Sequence, residues 1–190
     1  PTTSPDLFRR SFDVALLTGD EDSACQDMQS APELAPTLIA RVFCLARAGD
    51  WNTAALTLRT SMALGTVGAE DEQLLSRFLD PALFDGEDMP PPPKPVSPLV
   101  WRIYDALGES LSTSTLPIAF AHADLTERAG WKSQIEAAER LARVGAVTPN
   151  VLLGLYTDRA PAASGGVWDR AHAFQRLDAA LTAGNVAMAA

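Results

Sequence analysis

The chain has 190 residues, of which 47% are apolar and 21% charged, a balance that excludes wholesale disorder and is long enough to bury a core. A net charge of −9 and an isoelectric point near 4.6 argue against binding nucleic-acid backbone or an anionic membrane surface, both of which call for a basic face. Alanine occurs 32 times and aromatic residues make up only 7%, so the composition leans toward an all-α fold.

In chain order, Leu7, Phe8, Phe12, Ala15, Leu16 and Leu17 fall at helical spacing, and Gly19-Asp20 stops that helix and starts the next. Ala24, Cys25 and Met28 predict a short second helix, after which Pro32 and Pro36 interrupt the chain. Leu38, Ile39, Val42, Phe43, Leu45 and Ala46 predict a strongly amphipathic helix ending at Gly49. Asp50 then caps a partner helix carrying Trp51, Ala54, Ala55, Leu58, Met62 and Leu64. A further helix is expected over about 70–79, with Leu74, Leu75, Phe78 and Leu79 apolar.

Residues 86–98 break this pattern. Five prolines in the six positions 90–95 exclude helix and central strand, so the stretch reads as a polyproline II spacer, with a docking motif for an aromatic groove or an ordered segment wrapped over the helices as alternatives. It divides an acidic helical segment, residues 1–85, from a second helical segment, residues 99–190, the two forming one continuous array. Residues 1–88 hold 15 acidic and 6 basic side chains, whereas residues 89–190 hold 9 of each. The acidity of the first half would steer a basic partner, beside its plainer role as a solvated face.

Beyond the linker, Ser97-Pro98 reads as a cap followed by proline at the first helical position. Leu99, Val100, Ile103, Tyr104 and Leu107 then share a face up to Gly108. Helices are expected over 117–128, 131–144, 150–157 and 167–183, and no stretch alternates with period two. No apolar run is long enough to span a membrane. The chain starts at Pro1 without an initiator methionine and stops at Ala190 inside an alanine-rich, helix-like stretch, so we read it as a piece of a longer precursor.

Helix pairs joined by tight Gly-Asp turns, best seen from Leu38 through Gly49-Asp50 to Gly65, resemble the tetratricopeptide-like α-superhelices. The small residues Ala46, Ala48, Ala54 and Ala55 beside the turn allow close helix approach. The consensus tryptophan, Leu-Gly and tyrosine are not at family spacing and no 34-residue period recurs, so the resemblance is to a divergent member. The stretches Phe43 to Asp50 with an upstream Cys25, Leu116 to His122, and Ala160 to Asp169 resemble a group of alanine-rich exported proteins of alphaproteobacteria. That group has no known activity, and some of its members carry a type I antifreeze label. The resemblance implies a helical exported protein. The antifreeze label does not fit a chain with 14 prolines, many large apolar residues and no threonine ladder.

Cys25 and Cys44 are the only cysteines and fall on adjacent predicted helices. A disulfide is expected there, which would imply an oxidising compartment; two buried free thiols are the alternative. No further ligands lie at zinc spacing. His122 and His172, with Asp124 or Asp169 nearby, offer a general base but no nucleophile motif, so they read as structural or surface histidines. Glu109-Ser110 is similar to the Glu-Ser pair of lytic transglycosylases, without the rest of that site. Ser164-Gly165-Gly166 precedes a predicted helix and could receive an anion, but it lacks the phosphate-loop and dinucleotide patterns. Glu70-Asp71-Glu72 suits a first helical turn through the helix dipole rather than a metal. Trp101, Trp131 and Trp168 are expected in helix seams, and Trp51, beside a turn, is expected to be partly exposed.

Together these residues predict an all-α array of antiparallel helix pairs of superhelical type. They point to a non-enzymatic periplasmic or secreted scaffold, without cofactor or metal, that binds a protein or peptide and neither nucleic acid nor membrane. The alternatives are the non-catalytic helical region of a cell-wall enzyme and a small-ligand binder between helices.

Overall fold

A computed structural model describes residues 4–184. The alanine-rich stretch expected to run to Ala190 lies outside the described residues. Nine α-helices and four short 3-10 segments account for the secondary structure, with no strand among the described residues. Contacts divide the chain into two units, one ending at Ser112 and one beginning at Thr113.

The first unit holds α1 (Pro5–Thr18), α2 (Glu21–Ser30), α3 (Leu38–Arg47), α4 (Trp51–Ala63), α5 (Ala69–Leu79) and α6 (Pro98–Ala106). Phe8, Phe12 and Leu16 recur every four residues and bury one face of α1. Gly19 ends that helix at φ +88°, where its N–H and that of Asp20 both donate to Ala15 O at 3.0 and 2.9 Å. Thr37 Oγ1 accepts from Ala40 N and caps α3, and Asp50 Oδ1 accepts from Thr53 N and caps α4. The capping residues and Gly-Asp turns thus place the helices where the sequence predicts them.

Each helix from α1 to α5 packs on the next in the chain. α6 packs on both α1 and α5, so the last helix of the unit returns to the first. Phe12, Leu16, Val42, Phe43, Leu75 and Ile103 form the centre of this core. Leu7, Met62 and Leu64, expected on apolar faces, stand exposed instead.

The Pro-rich stretch 86–98 is part of this unit. Tyr104 Oη donates to Pro90 O at 2.9 Å, and Met89 and Val96 pack against the core. Ser97 Oγ accepts from Val100 N and caps α6 immediately behind it. The stretch is therefore a strap held on the first unit, the wrapped alternative in place of the free spacer its prolines first suggest.

The second unit holds α7 (Trp131–Arg143), α8 (Pro149–Asp158) and α9 (Val167–Thr182), preceded by a 3-10 segment over Ile118–Leu125. That segment was expected as an α-helix over 117–128. Thr126 Oγ1 donates to Ala123 O at 2.9 Å, and the extended backbone of Thr126 ends the run early. Trp131 Nε1 donates to Leu155 O at 2.7 Å and its ring packs on Trp168. A polar knot joins the three helices: Glu139 accepts from Tyr156 Oη and from Nε and Nη2 of Arg170, each at 2.7 Å.

Candidate functional site

Trp51 opens α4 and is 49% exposed, in contrast to Trp101 and Trp131, which are buried. It is exposed because it occupies the first helical turn, just past the Gly49-Asp50 corner. Its ring packs at 6.2 Å on Phe78 of α5, which in turn stacks at 5.6 Å on Phe43 of α3. These three rings form the floor of a groove of about 610 Å³ that opens to solvent. Leu79, Pro81 and Leu107 complete an apolar wall.

Arg47 is the one charged side chain among the residues lining the groove. It is already engaged. Its Nε and Nη2 both reach Asp22 Oδ1 at 2.7 Å, and its Nη1 lies 3.4 Å from Glu21 Oε1. Its guanidinium also sits 5.8 Å from the centre of the Phe43 ring. Glu21 is only 1% exposed and has a second cation, Arg102 Nη2, at 3.4 Å. Arg102 continues outward to Leu16 O at 2.8 Å and Asp105 at 3.2 Å. A chain of alternating charges from α2, α3 and α6 thus runs beneath one side of the groove.

Cys25 and Cys44 form a disulfide joining α2 to α3, with their Cα atoms 5.1 Å apart. The bond ties the helix carrying Glu21 and Asp22 to the helix carrying Arg47 and Phe43. The disulfide is consistent with an oxidising, extracytoplasmic location. No helix among the described residues is long and apolar enough to cross a membrane.

The other candidates fall elsewhere. His122 is half-buried in the 3-10 segment and His172 is exposed on α9. The carboxylates suggested as their partners take other donors: Asp124 accepts from the Thr113 hydroxyl, and Asp169 accepts from Gly165 N at 2.9 Å. Burial pushes the Asp124 carboxyl above its ordinary value, against the lowering effect of the Thr113 hydroxyl and Arg140. Asp169 also places a carboxylate of the chain itself at the start of α9, where the Ser164-Gly165-Gly166 loop would otherwise face an anion. Ser110 Oγ donates to Asp105 at 3.3 Å, and Glu109 is exposed on the surface. Glu70, Asp71 and Glu72 occupy the first turn of α5, where burial and the neighbouring Glu70 hold the Asp71 carboxyl above its ordinary value. No group of three or more potential metal ligands lies together among the described residues.

Sequence reasoning singles out Trp51 but misses Phe43, Phe78 and the buried charges beside them. A signal for the charges exists in Trp101-Arg102-Ile103-Tyr104, where an arginine interrupts an otherwise apolar run and must find a buried anion. No family model matches the chain, and no curated protein or solved structure is significantly similar to it.

Proposed function

We propose that this chain is a non-enzymatic helical interaction module that works outside the cytoplasm and binds a protein or peptide through the groove at Trp51. The observation that carries the reading is the half-exposed Trp51 ring packed on the half-buried Phe78, which rests on the buried Phe43, at an open groove. Aromatic side chains of this kind supply large contact area at small entropic cost and dominate binding at protein interfaces. The charged side chain lining the groove, Arg47, is tied up by Asp22 and Glu21, which supports a docking surface over a reaction centre. Packing of each helix from α1 to α5 on the next supports the paired-helix part of a divergent tetratricopeptide-like reading, from which the return of α6 to α1 departs, and the Cys25–Cys44 bond supports export.

A small-ligand binder is the second reading, favoured by a cavity volume within the range of ligand pockets. Such pockets use converging polar groups to orient their ligand, and here the rings and aliphatic side chains face an open mouth.

A photo-reactive phenylalanine derivative, which keeps an aromatic ring at position 51 of the exported protein, tests the proposal in the cells that produce it. Covalent adducts with another polypeptide are expected from position 51 and not from the exposed position 181. Adducts absent from position 51, or equal from both positions, would contradict it.

A further inference from the structure

Three of the four stretches that line the Trp51 groove have an acidic residue next to a lining residue in sequence. Asp50 precedes Trp51, Asp80 lies between Leu79 and Pro81, and Asp105 precedes Ala106. Asp22, 70% exposed at its side chain, covers Arg47. Asp50 and Asp80 are exposed and Asp105 is partly so. The unit that contains the groove holds 17 acidic and 8 basic side chains over residues 1–112. The lining cation is already neutralised by two carboxylates, so an approaching anion meets repulsion without a free counter-charge. An approaching cation meets the reverse, together with the exposed face of an indole that can bind it by cation–π attraction.

We infer that the occupant of the groove is a basic protein segment, one with an aliphatic or aromatic anchor flanked by lysine or arginine. This rests on the proposed function and specifies its partner. The anchor fills the floor made by Phe43, Trp51 and Phe78. The flanking cations lie near Asp50 and Asp80, where they speed encounter and set orientation more than they add affinity. Binding therefore weakens as salt screens the rim.

An unbiased peptide display library panned against the whole disulfide-intact protein tests this. The expected result is enrichment of peptides with lysine or arginine around an apolar anchor. Trp51→Ala should weaken such peptides roughly 30-fold, and Trp51→Phe should recover part of the loss. Asp80→Lys, on the exposed rim, should weaken them roughly threefold at low salt and less at high salt. Far-ultraviolet circular dichroism of each variant separates loss of binding from loss of fold. Selected peptides that depend on Trp51 but show no excess of basic residues overturn the basic-partner inference and leave the groove reading standing. Peptides indifferent to Trp51, or no enrichment at all, overturn both.

Discussion

Glu21 is 1% exposed, a position at which a carboxylate has given up its hydration and depends on the two guanidiniums beside it. Removing one member of such a group costs more than the group contributes as a whole, because the remaining charge stays buried. Glu21→Ala should therefore lower stability by about 3 kcal/mol, the lower end of the range for a broken buried pair, since Arg102 keeps Leu16 O and Asp105. The double change Glu21→Leu with Arg102→Leu should restore much of the loss, and urea unfolding midpoints of the three proteins check both expectations. Glu139 makes a second prediction, in pH. Burial pushes its carboxyl up, but hydrogen bonds from Arg170 and Tyr156 outweigh burial and hold it below the ordinary value of 4.5. A carboxyl lowered on folding stabilises the native state above its unfolded value, and the contribution disappears as pH falls through the folded value. Wild-type protein should thus lose stability on acidification below about 4.5, and Glu139→Gln should flatten that part of the stability-against-pH curve. Neither acid announces itself in the sequence. Glu21 reads as an ordinary first-turn acid, and its burial follows from Arg102, 81 positions away.

At the scale of elements, the Cys25–Cys44 bond fixes α2 on α3, and Asp50 fixes the start of α4. Reduction should cost on the order of 3 kcal/mol for a loop of this length, read as a lower unfolding midpoint in reductant. Asp50→Ala should cost about 1 kcal/mol and Asp50→Asn much less, because asparagine keeps the acceptor for Thr53 N. The helices were legible because their ends are written locally: Gly19, Gly49, Gly65, Gly108 and Gly145 all adopt positive φ just where the apolar period stops. Elements decided by tertiary contact were not. The 118–125 segment has the composition of an α-helix yet forms 3-10 turns ended by Thr126, and the course of the Pro-rich strap is set by the Tyr104 hydroxyl and the burial of Met89 and Val96.

At the scale of the molecule, the all-α fold follows from composition and periodicity, whereas the groove needs three helices brought together. Trp51 was visible as an aromatic beside a turn. Phe43 and Phe78 looked like ordinary core residues at helical spacing; Phe43 is one, fully buried, and the half-buried Phe78 and exposed Trp51 pack outward from it only where α3, α4 and α5 meet. Asp50 and Asp80, from the acidic half of the sequence, stand next in sequence to residues lining that groove, so a charge imbalance legible in the composition gains a proposed role. Whether ligands choose this surface is therefore the decisive question. The most direct measurement is nuclear magnetic resonance mapping of a peptide selected, without bias, against the intact disulfide-bonded chain. The expected result is that the Trp51 indole N–H and the amides of Phe78, Leu79 and Leu107 shift most. Shifts centred instead on the exposed apolar residues Val151 and Leu181 of the second unit, with Trp51 unmoved, would contradict the assignment of the Trp51 groove as the binding surface.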